Sequence, residues 1–510
     1  MANHGYSRVG PESSLPLWRK LCFAVGGVPY QMTSTVIGFF LNIFLLEVAE
    51  VKPSYVAVVL FSGKAWDAVT DPACGYLVQR TSSRWGKMRP WILFSAPFSC
   101  AAYFMLFFVP WRYQEVDHRS ETEASMEEKL AYYFVIFCLF QGFLTALHVP
   151  YTALTMYVTT QQKERDSITA YRMWFEALGV LAAVVIQGQL VQSTRCTDDD
   201  DDTSVTVQDM EDREWSYRIG SFVVIGIYLI CSCTVFFGVK EEKDDRTDGD
   251  SSGLFKGLKL VFSFTPYLKA AMTFLFLSLA VGIVQGNVAL YTTHSLKLGD
   301  YFSIFILVLL LVSIFAMPVW QFVILRFGKK TAYAAGIIIL MPTFICQMYV
   351  PEKSMALYFV VIVFAGLGVS VSLLLPWSVL PDVLDLFMLE KRTRKDALFY
   401  AYYVFFSKLA LGLGLGISQV VLSFGGYKTG ECKQPDSVGQ TLRLLVTPAP
   451  VVFLLVALLF LWSYPITEAR RNEIREEVLR YRDQLNKASL DSSRSYESIA
   501  ASSSDVVTQF

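Results

Sequence analysis

Charge is what this sequence has little of. Of its 510 residues only 17% are Asp, Glu, Lys or Arg, histidine occurs 4 times, and 54% are apolar, giving a mean hydropathy of +0.41. A soluble globular domain carries roughly 25% charged residues, so that class is excluded. Also lacking are a Cys/His spacing suited to a metal, a glycine-rich phosphate loop at a strand–helix junction and a nucleophile elbow. Nothing therefore points to an enzyme acting on a covalent bond, and neither a cofactor nor a nucleic-acid partner is expected. No short cleavable signal-peptide pattern precedes the first apolar run.

What the chain does have is apolar runs long enough to cross a bilayer of about 30 Å. They predict twelve membrane spans, at 20–48, 53–79, 90–109, 130–158, 168–192, 216–238, 267–293, 301–325, 331–350, 355–387, 397–424 and 441–463. The expected fold is all-α and polytopic, with two six-helix halves. Residues 1–19 form an N-terminal segment, 20–238 the first half, 239–265 a charged linker, 266–465 the second half, and 466–510 a helix and a Ser-rich tail. Lys and Arg in short loops set orientation. Arg19, Lys20, Arg80, Arg84, Lys87, Arg89, Lys163, Arg165, Lys240, Lys243, Arg326, Lys329, Lys330, Lys391, Arg392, Arg394, Lys395, Arg470 and Arg471 all fall on one side, which predicts cytoplasmic termini. The acidic run Asp198–Asp202 falls on the other side and reads as a solvated loop.

Seven of the 9 cysteines lie in apolar spans, where a small buried hydrophobe is the default role. Cys196 and Cys432 instead fall in loops on the outer, oxidising side and are expected to form a disulfide.

Basic, glycine-bearing loops repeat across the divide. Tyr76-Leu-Val-Gln-Arg-Thr-Ser-Ser-Arg-Trp-Gly-Lys between spans two and three is echoed by Gln321-Phe-Val-Ile-Leu-Arg-Phe-Gly-Lys-Lys between spans eight and nine. Repeated halves place a substrate site at mid-depth between them and permit alternating access by rocking. Gly26, Gly27 and Pro29 are expected to interrupt span one, and Pro376 and Pro381 span ten, as breaks tolerated where they line a cavity. Beyond Tyr464, a charged helix offers Ile474, Val478 and Leu485 for docking, and Tyr496-Glu-Ser-Ile499 fits a tyrosine-based sorting pattern.

The most informative residues are the charges inside the spans. Asp67 and Asp71 lie one turn apart deep in span two, where two carboxylates facing lipid would cost roughly 5 to 7 kcal/mol. At this spacing both leave one face of the helix, so they must face a polar interior, and a small cation fits between them. Lys408, alone in span eleven, needs a carboxylate partner. A cation bound at Asp67 and Asp71 would compete with that ammonium, which couples ion binding to helix position. Sodium, with Thr70 or backbone oxygens completing its ligands, and a proton, held by one carboxylate raised by the other, both remain open. His148 reads as a packing group. Arg172 is either a phosphate ligand, through its bidentate fork, or a salt-bridge partner of Glu164, Asp166 or Glu176. The second half offers few polar groups, and each buried unpaired hydroxyl of a sugar costs roughly 1 to 3 kcal/mol. An acyl tail suits such a cleft better, with Phe39, Phe40 and Trp377 along it and about 0.8 kcal/mol gained per buried methylene.

Several runs carry a resemblance: Gly26-Gly-Val-Pro-Tyr-Gln with Gly38-Phe-Phe-Leu, Ala65-Trp-Asp-Ala-Val-Thr-Asp-Pro, His148-Val-Pro-Tyr-Thr-Ala-Leu-Thr-Met, Glu164-Arg-Asp-Ser-Ile-Thr-Ala-Tyr-Arg-Met, Leu374-Leu-Pro-Trp-Ser-Val-Leu-Pro-Asp-Val and Tyr403-Val-Phe-Phe-Ser-Lys. Over about residues 20–465 the chain resembles the sodium-dependent lysophosphatidylcholine symporters. More distantly it is similar to the glycoside-pentoside-hexuronide cation symporters of the major facilitator superfamily, typified by melibiose permease. The resemblance implies sodium on Asp67 and Asp71, Lys408 as their coupling partner, and Arg172, Trp377, Phe39, Phe40 and Gln31 toward a lysophospholipid. It implies a monomer in the plasma membrane, with the endoplasmic reticulum as a second location. Two features depart from the pattern: His148 stands where the sugar branch has a further aspartate, and the Asn-x-Ser/Thr sequons usual in the loop after span five are absent. The sister sphingosine-1-phosphate exporters share much of the pattern, including Cys432-Lys-Gln, but Trp66 and Asp67 favour the symporters.

Overall fold

A computed structural model describes residues 15–81, 83–116, 119–159, 162–192, 207–241, 262–391, 396–429, 434–478 and 480. The first crossing is assembled from α1 (Leu17–Val25), α2 (Val28–Val36) and two π turns, Ile37–Leu41 and Phe44–Val48. There follow α3 (Pro53–Arg80), α4 (Arg89–Leu106), α5 (Met126–Val158), α6 (Gln162–Gln192) and α7 (Val207–Gly238). The second half comprises α8 (Thr265–Leu290) with a π turn at Tyr291–Ser295, α9 (Phe302–Phe327), α10 (Lys329–Tyr349), α11 (Met355–Lys391), α12 (Asp396–Phe424), α13 (Asp436–Val446) and α14 (Pro448–Trp462). Among the described residues 9 helices are long and apolar enough to cross a membrane. The segmented first crossing, the charge-bearing α3 and the 18-residue α4 complete the twelve. The all-α architecture in two six-helix halves is therefore as expected. One small addition lies outside the bundle: β1 (Tyr113–Val116) pairs antiparallel with β2 (Arg119–Thr122), Tyr113 opposite Thr122.

Two local expectations are corrected. Helix α11 runs unbroken through Pro376 and Pro381. A proline removes one backbone bond, but in a packed bundle the neighbouring groups hold the segment helical. Conversely, the twelfth crossing divides at Thr447 (φ −119°, ψ −80°). Residues preceding proline avoid the helical region, and Pro448 opens the next helix. In span one, Gly26 and Gly27 do separate α1 from α2, although both keep right-handed helical angles.

The repeated basic loops have matching geometry. Gly86 (φ +108°) and Gly328 (φ +85°) each precede a helix, and each packs against a carboxylate from beyond its half's last helix, Glu241 and Glu468 respectively. Glu241 accepts the backbone N–H groups of Lys87, Met88 and Arg89 at 2.6, 2.9 and 2.7 Å, supplying the negative charge that a helix N-terminus favours. Residues 468–478 are helical, and Ile474 and Val478 are buried in the core of the second half. Leu485, the sorting-like run at Tyr496 and the acidic block Asp198–Asp202 lie outside the described residues. So do Cys196 and Cys432; the seven other cysteines are free.

Among the described residues the halves meet most extensively along α3 against α12, α6 against α9, and the π turn Ile37–Leu41 against α8. The first is the closest. A Cβ added at Gly412 would stand 2.8 Å from the Lys64 Cβ, and one at Gly416 3.3 Å from the Phe61 Cβ. These glycines, one turn apart, form the small-residue face that lets membrane helices approach closely. The other two lines lie toward the face that carries the β hairpin. At the face that carries the chain termini, ion pairs such as Lys20–Glu164, Lys329–Asp382 and Arg471–Asp382 stay within one half.

Candidate functional site

Because Gly412 and Gly416 draw α12 onto α3, Lys408, one turn before Gly412, is brought level with the aspartates close to the middle of both helices. Its Nζ lies 2.9 Å from Asp67 Oδ1 and 2.6 Å from Asp71 Oδ2. Asp67 is 5% exposed, so the ion pair is shielded from lipid and largely from water. The expected triad thus exists, and it joins the two halves at mid-depth.

Two further side chains join the cluster. Thr145 of α5 donates its hydroxyl to Asp67 Oδ1 at 2.8 Å. Lys64, one turn before Asp67, lies within electrostatic reach of both aspartates and Lys408. Two lysines and two aspartates make the cluster neutral overall, which is how it tolerates burial. Lys64 does stand beside Asp67 at a helical spacing, so a charge count over successive turns would have found it; Thr145 had no such signal. Thr70, named with backbone oxygens among the expected cation ligands, donates its hydroxyl to the Asp67 backbone carbonyl at 3.1 Å.

Would this group hold a hard cation? Asp71 Oδ1 is buried without a hydrogen-bond partner, and Asp67 Oδ1 is shared between Lys408 and Thr145. Carboxylate and hydroxyl oxygens are the donors that such an ion prefers. The residues fit a monovalent cation that displaces the ammonium of Lys408. Among the described residues there is no cluster of three or more His, Cys, Asp or Glu side chains suited to a metal cofactor.

The remaining predicted residues are spread around the triad. His148 stacks on Tyr30 with ring centroids 3.6 Å apart, the packing role expected of it. Arg172 takes its salt-bridge option: Nε lies 2.6 Å from Glu176 Oε1, and the guanidinium sits over the Tyr151 ring at 5.1 Å. Glu176 in turn packs against Gly27, while Glu164 pairs with Lys20. Trp377 is 43% exposed and meets Phe274 and Tyr403 edge-on. Gln31 is half-buried. Phe39 and Phe40 are buried, and Phe40 packs edge-on against Phe302 across the two halves, in the closed seam rather than along an open cleft.

A twelve-helix bundle of two halves, bridged at mid-depth by a buried ionic cluster, is a secondary transporter of the major facilitator type and not an enzyme. The sequence matches the family described as MFS/sugar transport protein over residues 22–468, and the chain belongs to that family. It is 41% identical over 500 residues to the sodium-dependent lysophosphatidylcholine symporter 1-B of Danio rerio, covering 94% of this chain and 93% of that one. It is 39% identical to the sphingosine-1-phosphate transporter MFSD2B of Xenopus tropicalis, covering 93% and 94%. A bacterial homologue of the human lysosomal transporter Spinster, solved inward-facing and unoccupied, superposes with a TM-score of 0.61 at 12% identity, over 90% of this chain and 97% of that one. That likeness concerns the fold.

Proposed function

We propose that the protein couples inward sodium flow to uptake of a lysophospholipid, lysophosphatidylcholine foremost, across the plasma membrane by alternating access, with both termini cytoplasmic. The observation that carries the reading is Lys408 bridging Asp67 and Asp71 across the halves. A cation bound there must displace the ammonium, so occupancy changes what holds the halves together. With the termini face inward, the seams at the hairpin face make this an inward-facing state. The apolar and aromatic character of the second half favours an acyl chain, and the name of the Danio rerio relative supplies the same substrate and ion. The name of the Xenopus tropicalis relative favours a second reading, transport of sphingosine-1-phosphate. Sodium is the coupling ion, and no cofactor is needed.

The test is uptake of labelled lysophosphatidylcholine, sphingosine-1-phosphate and melibiose into proteoliposomes, with and without an inward sodium gradient. Sodium-stimulated uptake of lysophosphatidylcholine alone is expected. Sodium-independent movement of sphingosine-1-phosphate would favour the second reading and overturn the first.

Arg172 supplies a narrower expectation. A phosphate approaching it would use the N–H groups of the guanidinium not committed to Glu176, a bidentate geometry that lysine cannot reproduce. Arg172→Lys should raise the half-saturating lysophosphatidylcholine concentration roughly tenfold, as expected for loss of about 1.4 kcal/mol, and leave the sodium dependence intact. Concentration curves of initial uptake read this directly, and an unchanged half-saturation would remove Arg172 from the headgroup path.

A further inference from the structure

The first helices of the two halves meet in a polar seam toward the hairpin face. Asn42 Nδ2 donates to the Gly286 carbonyl at 2.8 Å, and Gln285 lies against Gly38. At the end of the seam, Glu47 Oε1 meets His294 Nε2 at 2.9 Å. Both residues occupy corresponding places: Glu47 lies in the π turn Phe44–Val48 that ends the first crossing, and His294 in the π turn Tyr291–Ser295 that ends the seventh. Single π turns concentrate at functional sites because they widen one turn and re-aim its side chains. The His294 side chain is 7% exposed and that of Glu47 18%, so the contact is shielded from solvent. The mid-depth triad therefore has a counterpart, a carboxylate–imidazole contact joining the halves, and this one lies where they must separate to admit substrate from the hairpin side.

We propose that Glu47 and His294 form the latch of the outer gate, positioning residues that hold the hairpin face shut, and that protonation of His294 tightens it. The proposal rests on the alternating-access reading above. A neutral imidazole gives the Glu47 carboxylate a hydrogen bond from an uncharged donor, whereas an imidazolium makes both partners charged and adds their mutual attraction to the bond. Acid on the hairpin side thus favours the closed gate. The described groups facing the pair include Tyr427, which stands edge-on to His294 at 5.9 Å and within electrostatic reach of Glu47 and of Arg213 on α7. Arg443 of α13 bonds the Ser295 hydroxyl at 3.0 Å. Lys297, paired with Glu352 at 2.8 Å, and Asp300 follow on the chain. Of the side-chain types here, imidazole is the one that ordinarily changes charge between about pH 5 and 8.

The test places a reporter thiol by Ser303→Cys in the full-length protein. Ser303 is buried where α9 packs on Gly188, so a membrane-impermeant thiol reagent on the hairpin side reaches the position only when that face opens. Rates are measured above the background of the unsubstituted protein, and each is divided by that of the reporter parent at the same pH, which cancels the thiol's own pH dependence. Glu47→Gln and His294→Gln should label faster than the parent, with the ratio growing about fivefold as the outer pH falls from about 7.5 to 5.5, the step from an uncharged to a charged donor on Glu47. The reversed pair, Glu47→Lys with His294→Glu, should return labelling to near the parental rate and remove its extra slowing in acid. A ratio near one for both single variants, a ratio independent of pH, or a reversed pair that labels as fast as the single variants would each overturn the latch. Because the readout is opening and not uptake, a wrong substrate or ion shows instead as wild-type protein that labels normally and fails to transport.

Discussion

Asp71→Asn is expected to abolish sodium-stimulated uptake while the protein still reaches the cell surface, and Asp67→Asn to do the same. Each substitution preserves shape and removes one negative charge from a cation held between two. Contacts to a charged group contribute roughly 1.5 to 3 kcal/mol, so sodium affinity should fall about 10- to 150-fold, enough to end coupling at ordinary sodium concentrations. Folding should survive, because Lys408 keeps its other carboxylate partner, and in Asp67→Asn the amide oxygen still accepts the Thr145 hydroxyl that now reaches Asp67 Oδ1 at 2.8 Å. Initial uptake against sodium concentration, normalised to surface protein, measures the effect. Wild-type sodium dependence in either variant would sink the cation site.

Lys408→Ala should fail in a different way. Removing one partner of a buried ion pair destabilises by about 3 to 5 kcal/mol, here because Asp67 and Asp71 would share one buried space with no ammonium between them. Sodium can replace the missing charge. The variant should therefore be thermally labile without sodium and gain more from sodium than the wild type does, by a ligand-linked term that reaches about 2.7 kcal/mol at a concentration 100 times the Kd. Net uptake should nevertheless fall at least tenfold. With only Lys64 left to offset the two aspartates, the empty carrier would have to return with one uncompensated buried charge, and the return step would stall. Exchange of bound for free substrate in constant sodium does not need that step and should persist. Melting curves in sodium and in choline, together with net uptake and exchange, separate these outcomes; normal net uptake by Lys408→Ala would overturn the coupling role.

The two experiments also distinguish competition from a fixed tie. If Lys408 merely fastened the halves together, its loss and that of either aspartate would give the same unstable protein, with no special response to sodium. In the competitive arrangement the aspartate variants lose the sodium response and the lysine variant exaggerates it. The difference follows from geometry: one ammonium contacts both carboxylates, so ion and lysine want the same oxygens.

What could be read from the sequence follows from the cost of exposing polar groups to lipid. Apolar run length determined the twelve crossings, and the low charge content made each buried charge conspicuous. Asp67 and Asp71 were assigned to one face by helical period, and Lys408 to them by the need of a buried ammonium for a carboxylate. Docking of Ile474 and Val478 was likewise legible from an apolar stripe. Only the tertiary structure decided what depends on neighbours distant in sequence. Arg172 chose Glu176 among three possible acids, since a helix places residues four apart side by side while Glu164 was taken by Lys20. Phe40 went into the seam against Phe302 instead of a cleft, because which apolar face meets the other half is set by packing and leaves no mark in composition. Thr145 joined the ionic cluster, and Glu47 met His294 across 247 positions, through the approach of helices that no local period encodes.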